Sequence, residues 1–375
     1  MKVPSQFLFT VCQHRAEDAL KTEFATTWPD WRLSFSRPGF VTWKLPKNVK
    51  LASDFDIRSV FARTHSFSLG KVSGEWADEL AARVWPLMEG TPVEAIPVDH
   101  IHVWQRDTAV PGDRGFEPGR TVLADHVATL VRDARPEPIS GRLPINRTAR
   151  SGDAVLDCCL VEPNQWWIGW HRATTLPTRW PGGVPSIEPQ SQIISRAYLK
   201  LAEALRWSQL PMAEGDLCAE IGSAPGGAAQ LLLERGMYVL GVDPAEMDDR
   251  ILANPGFAHI RARAADVKHS EFARVRWLLA DSNVAPQHTL DSVEAIVTND
   301  QTHVRGMLLT LKLPDWNLAS HIPAYLDRVR SWGYKYVRAR QLAFNRQEIC
   351  VCAIKNRSMR RFKPRGPKRG KRKGT

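Results

Sequence analysis

Leu217-Cys218-Ala219-Glu220-Ile221, followed at once by Gly222-Ser223-Ala224-Pro225-Gly226-Gly227-Ala228, decides the fold. The first five residues read as a short buried strand, and Ala228 to Arg235 as the helix that follows the turn. The glycines between them let the backbone turn tightly and approach a ligand closely, which a residue with a Cβ does only at a steric cost. About twenty residues on, a second short strand, Tyr238 to Val242, ends at Asp243. A carboxylate there can accept hydrogen bonds from both hydroxyls of a ribose. Beyond it, Trp277 to Ala280 reads as a strand, Met307 to Leu313 as another apolar run, Pro323 to Trp332 as a helix and Ile349 to Ile354 as a final strand. This alternation predicts a doubly wound, mostly parallel α/β sheet, with ligand bound at the carboxyl ends of the strands. GxGxxG and Walker spacings are both absent and no lysine follows the loop. A phosphate-gripping loop is therefore excluded, and a nicotinamide enzyme is the weaker alternative.

The first half has a different texture. Phe7 to Val11, Glu17 to Phe24 and Phe40 to Trp43 read as strand, helix and strand, with a short helical stretch before Gly70. A helical Glu75 to Met88, an apolar His100 to Trp104, a helical Ala124 to Arg132 and the strands Ala154 to Leu156 and Gln165 to Trp170 follow. Short alternating elements suggest small α+β modules, at 1–70 and 71–175. The Pro- and Gly-rich segment 176–192 is linker chemistry. The α/β unit occupies 193–356, and 357–375 is a basic tail.

At 375 residues, with 43% hydrophobic and 24% charged residues, the chain has ordinary globular composition and the length of two or three domains. Its net charge of +11 is concentrated. Ten of the 51 Lys and Arg lie between Arg357 and Lys373 with no acid, which leaves 41 against 40 elsewhere. Such a tail is expected to be disordered, with nucleic acid as its electrostatic partner. The Phe7-Leu8-Phe9 run is interrupted by polar residues and lacks a cleavage site, so it does not read as a signal peptide. No run of 18 apolar residues spans a membrane. Cys12, Cys158, Cys159, Cys218, Cys350 and Cys352 show no paired zinc spacing and read as reduced, buried thiols of a cytoplasmic protein without a metal.

Several residues then recur in a fixed order: Ser195-Arg196-Ala197-Tyr198-Leu199-Lys200-Leu201, Ala224-Pro225-Gly226-Gly227, Asp281 after an apolar strand, Leu311-Lys312-Leu313-Pro314, Arg340-Gln341-Leu342 and Asn345-Arg346-Gln347-Glu348. Together they resemble the FtsJ-type ribose 2′-O-methyltransferases. Within that group the chain is most similar to enzymes that methylate a cytidine ribose in large-subunit (23S) ribosomal RNA and carry N-terminal ferredoxin-like and THUMP modules. The likeness covers 195–356 well. In the first half it rests on Ser59-Val60-Phe61-Ala62-Arg63 and on layout. The resemblance implies a Rossmann-like methyltransferase domain with a seven-stranded sheet, S-adenosyl-L-methionine as cofactor, RNA as substrate, and a catalytic tetrad of Lys200, Asp281, Lys312 and Glu348. By the same matching Gly222, Ala224, Pro225, Gly226 and Gly227 line the methionine and ribose region. Asp243 then holds the ribose hydroxyls, Asp266 accepts from the adenine amine, and Asp281 faces the methionine moiety. Where the family has Asp and Trp this chain has Glu220 and Ala228, and a family serine that contacts the cofactor falls at Ala197.

Such a tetrad has a physical reason. A ribose hydroxyl is a poor nucleophile until its proton is removed or polarised. Lys312 is the expected base, with an amine pKa lowered by burial and by Lys200, while Asp281 and Glu348 position the lysines. A structural salt-bridge network is the alternative for the same four residues. Base methylation fits less well, since Asp281-Ser282-Asn283-Val284-Ala285-Pro286 is not an amino-methylation loop and no cysteine lies near it for attack on a pyrimidine ring. Trp166 and Trp170 share one strand face and read as core. Arg142, Arg147, Arg150, Arg172, Arg360, Arg361 and Lys363 are candidates for RNA contact. The expectation is a monomeric, cytoplasmic rRNA-processing enzyme. The rival readings are the same chemistry on a cap or transfer RNA, and a non-catalytic ribosome assembly factor.

Overall fold

Two mixed α/β bodies share a long seam. The structure is a computed structural model that describes residues 2–3, 5–89, 91, 97–136 and 143–356. Its first body is one seven-stranded sheet with helices α1 (Glu17–Thr27) and α2 (Val122–Asp133). The strands are β1 (Phe7–Val11), β2 (Arg32–Arg37), β3 (Phe40–Lys44), β4 (Thr64–Ser73), β5 (His100–Gln105), β6 (Ala154–Glu162) and β7 (Gln165–Arg172), in spatial order β2-β3-β1-β4-β7-β6-β5. The expected division after residue 70 falls inside β4. Thr64 to Phe67 pair with β1, and Phe67 to Ser73 pair with β7, so one ten-residue strand joins the two groups of elements into a single sheet. The short helix expected before Gly70 is not formed. Residues 53–63 are irregular, and the N–H groups of Val60 and Phe61 donate to the Glu23 carboxylate. Trp166, Trp167 and Trp170 are all buried.

The second body begins with α3 (Ala197–Ser208) and contains β8 (Leu217–Ile221), α4 (Gly227–Glu234), β9 (Tyr238–Val242), β10 (Phe257–Ile260), β11 (Trp277–Ala280), α5 (Pro286–Val297), β12 (Gly306–Lys312), α6 (Ile322–Ser331), β13 (Tyr336–Arg340) and β14 (Glu348–Ile354). The sheet order is β10-β9-β8-β11-β12-β14-β13. The pairs from β10 across to β12 are parallel, and β14 alone runs antiparallel to both neighbours. This is a Rossmann-like α/β fold. Chain order reverses at β8, which has β9 on one side and β11 on the other, so the loop 222–227 leaves the sheet where a ligand crevice opens.

Residues 176–185 of the expected linker are packed rather than free, while Ser186 and residues 188–192 are exposed. At Gly183, with φ +74°, a Cβ would lie 2.5 Å from the Arg63 carbonyl oxygen, and at Gly182, with φ +60°, 2.7 Å from the Trp104 ring. Val184 is buried against Ala343 and Phe344 of the second body. The seam continues where Gln341 N donates to Val60 O at 2.8 Å and where Trp316 meets the edge of the Phe61 ring. Both bodies feed one hydrophobic core. All six cysteines are buried and free. Among the described residues no helix is long and apolar enough to cross a membrane.

Candidate active site

Four elements bring four charged side chains together. Lys200 lies one turn into α3, Asp281 directly follows β11, Lys312 ends β12 and Glu348 opens β14. The antiparallel register sets Lys312 directly opposite Glu348, so their side chains leave the same face of the sheet. Lys200 Nζ contacts Asp281 Oδ2 and lies 3.2 Å from Glu348 Oε1. Lys312 Nζ contacts Glu348 Oε2 and lies 3.3 Å from Asp281 Oδ1. The result is a closed ring of alternating charge, with the Glu348 side chain only 4% exposed.

That ring sets the protonation states. Burial would raise the Glu348 pKa, but the two ammonium groups beside it outweigh burial and hold it down at about 2. Lys312 departs from the sequence expectation in sign. Burial does pull its pKa down, yet the carboxylates of Asp281 and Glu348 outweigh burial, and the amine sits above its ordinary value. The expectation counted the neighbouring cation and not the two anions between. In the free protein Lys312 is an ammonium.

The glycine loop stands beside the ring. At Gly222, with φ +78°, a Cβ would meet the Asp281 carbonyl oxygen at 2.8 Å, and at Gly226, with φ +117°, the Ile251 side chain at 2.7 Å. Only glycine fits both the backbone conformation and the space. Asp243 ties the loop to β9: Ala224 N donates to its Oδ2 at 3.1 Å and Ala245 N to its Oδ1 at 2.8 Å. Pro225 is exposed, and Gly227 opens α4 against Ser195. Asp266 is exposed on a turn after β10. Nearby Arg261 reaches Glu246 at 3.3 Å.

A small chamber lies behind the ring, lined by Ala197, Lys200, Glu220, Ala228, Asp281 and Asn345 among others. The three positions where this chain departs from the family pattern, Ala197, Glu220 and Ala228, all line it. Burial, with Asp281 and Asp243 nearby, pushes the Glu220 carboxyl well above the usual range, and its Oε2 has no hydrogen-bond partner among the described residues. Sequence reasoning had Glu220 only as a departure. Its signal was an acid inside an otherwise apolar strand immediately before the loop. Two further polar residues were missed. Asn345, buried, donates to Glu348 Oε1 at 3.1 Å. Glu203, buried on α3, accepts from the N–H groups of Ala343 and Phe344 at 2.9 and 3.0 Å and so shapes the loop that delivers Glu348.

Of the arginines considered for RNA contact, Arg147 and Arg150 are exposed, and Arg172 donates to the Gly152 carbonyl at 2.6 Å. Arg142, Arg360, Arg361, Lys363 and the whole tail 357–375 lie outside the described residues.

Residues 193–321 match the FtsJ-like methyltransferase family. Among curated proteins, the ribosomal RNA large subunit methyltransferase M of Halorhodospira halophila is 31% identical over 188 residues, 48% of this chain and 53% of that one. The protein of the same name from Chromohalobacter salexigens is 29% identical over 182 residues, 45% and 50% of the two chains. That from Xanthomonas campestris pv. campestris is 28% identical over 184 residues, 47% and 52%. The chain thus spans about half the length of the curated relatives it matches.

Proposed function

We propose that this FtsJ-like domain makes the chain an RNA methyltransferase, transferring a methyl group from S-adenosylmethionine to a ribose 2′-oxygen of large-subunit ribosomal RNA, at a cytidine, with the first body presenting the RNA. The observation that carries this reading is the closed ring of Lys200, Asp281, Lys312 and Glu348, set at the carboxyl ends of β11 and β12 beside a glycine loop. A purely structural network would have no need to stand beside a glycine loop at the carboxyl ends of the parallel strands, where such sheets bind ligands.

The residues present fit the cofactor. The loop turns at Gly222 and Gly226 where only glycine fits, Asp243 holds it with lone pairs to spare for ribose hydroxyls, and Glu220 keeps Oε2 without a partner among the described residues, able to accept from a donor on the cofactor. Ala224, Pro225 and Gly227 complete the wall, and Asp266 would meet the adenine amine. When bound, S-adenosylmethionine supplies an electrophilic methyl on a sulfonium.

The chain's own residues supply the rest. Lys312, once neutral, takes the proton from the 2′-hydroxyl, and Lys200 remains a cation that steadies the developing alkoxide. Asp281 and Glu348 fix both amines, and Asn345 fixes Glu348. No metal is needed for this division of roles.

The test is methyl transfer by the intact chain from tritiated S-adenosylmethionine to total RNA of a strain lacking the protein, followed by nuclease digestion. Lys312→Ala should keep RNA and cofactor binding and lose on the order of 10² to 10⁴ in rate. Label in a 2′-O-methylcytidine of large-subunit RNA is the expected result. Transfer by the variant at the wild-type rate would remove Lys312 as base. No transfer by the wild type to ribosomal, transfer or capped RNA would remove the enzymatic reading.

A further inference from the structure

The loop between β5 and α2 crosses from the first body to the rim of the ring. Pro111 O accepts from Arg346 Nε at 2.8 Å, and Asp113 Oδ1 lies 3.2 Å from Arg346 Nη2. Arg346 is also the residue whose N–H donates to Glu348 Oε1 at 3.4 Å. On the loop's other limb Glu117 pairs with Arg196, one turn before Lys200 on α3, and Arg196 also donates to Phe344 O at 3.0 Å. The loop is thus held at both limbs by residues adjoining two members of the ring.

At its tip the geometry is unusual. Gly112, Arg114 and Gly115 all have positive φ, at +84°, +50° and +78°. For glycine this is ordinary, but for arginine it is a conformation sustained only where the surroundings impose it. Both arginines that hold the loop are paired with a carboxylate, Arg196 with Glu117 and Arg346 with Asp113. Arg114 is exposed and makes no hydrogen bond or ion pair with a described residue. An exposed guanidinium on a loop tethered to the neighbours of Lys200 and Glu348, with its five donors unspent, fits a phosphodiester.

We propose that Arg114 is an RNA-binding residue that grips a backbone phosphate of the strand entering the ribose site, so that the loop 110–117 is a wall of the substrate groove supplied by the first body. The proposal rests on RNA being the substrate. A phosphate contact of this kind positions the strand without reading its sequence, and it acts alike in the ground and transition states.

The test uses the full chain, a fluorescein-labelled single-stranded oligouridylate as binding probe, and large-subunit RNA as methyl acceptor. Arg114→Gly removes the charge and suits the backbone, Arg114→Ala removes the charge alone, and Arg114→Lys keeps it. Gly and Ala variants should lower the log-log salt slope of binding by about 0.7 and raise KM for RNA at unchanged kcat, with cofactor affinity unaltered and Lys restoring most of the slope. A Gly variant whose salt slope and KM equal those of a wild type that binds RNA overturns this proposal alone. Loss in the Ala variant but not the Gly variant overturns it as well, since the effect would then be backbone strain. A wild type that binds no RNA removes both this proposal and the reading on which it rests.

Discussion

Lys312 can act as a base only after losing a proton that the free site holds tightly. Its ordinary amine pKa is 10.5, and Asp281 and Glu348 hold it higher still. At pH 7 fewer than about one molecule in three thousand therefore carries the neutral amine, equivalent to a cost of roughly 5 kcal/mol at 1.36 kcal/mol per pH unit. Because kcat/KM reports the free enzyme, it should rise about tenfold per pH unit from neutral pH upward, with no plateau in the physiological range. Glu348→Gln removes one of the two anions that raise the amine. It should move the rising limb to lower pH even as the loss of a fixed partner lowers the maximal rate. The assay is methyl transfer to RNA at subsaturating substrate, from about pH 6.5 to the onset of alkaline unfolding, well below the ordinary lysine value. A wild-type profile that levels off below about pH 8 would refute the reasoning, because the titrating group could not then be an amine of raised pKa. A Glu348→Gln profile that keeps the wild-type slope and begins to level off at no lower pH than the wild type would show that Glu348 does not set the Lys312 proton affinity.

Two further outcomes bear on the scaffold. Gly222→Ala, which forces a Cβ to within 2.8 Å of the Asp281 carbonyl oxygen at φ +78°, should cost about 1–3 kcal/mol of stability and abolish cofactor binding measured by calorimetry. Wild-type affinity in that variant would mean that the loop does not cradle the cofactor. Asp107→Asn strips the partner from Arg63, whose side chain is 3% exposed and whose two nitrogens reach Asp107 at 3.0 and 2.6 Å. It should lower the unfolding free energy by about 3–5 kcal/mol in urea titrations, and a loss below about 1 kcal/mol would show that Arg63 finds other partners.

The parts of this structure that were legible in the sequence are those whose environment is uniform along the chain. β8, β9 and β11 are almost wholly buried, so each reads as a short apolar run, broken in β8 by Glu220, and their ends locate the glycine loop, Asp243 and Asp281. Three of the strands that escaped reading sit at sheet edges. Arg32–Arg37 and Tyr336–Arg340 alternate polar and apolar residues weakly, and Phe257–Ile260 is short and half-exposed. Thr64–Ser73 was hidden by its serines, threonine and glycine, which are tolerated because strands on both sides supply the packing. The four charged residues could be matched in order, but the proton affinity of Lys312 depends on distances across three elements, which no spacing in the chain encodes. Asn345 and Glu203 were missed for a related reason: their work is done through backbone and carboxylate contacts far away in sequence.

The loop that delivers Glu348 is stitched from both sides. Glu203 holds its Ala343 and Phe344 N–H groups, Val60 takes the Gln341 N–H, and Arg346 is anchored on Pro111. Half of those stitches come from the first body, outside the residues 193–321 that match the family. A graft that fuses residues 193–356 to another RNA-binding partner would leave one side of that loop without its fasteners. If the proposed activity holds, the unit of exchange for redirecting it is the outward surface of the first body, while the inward face must be kept because it holds the loop that carries Glu348.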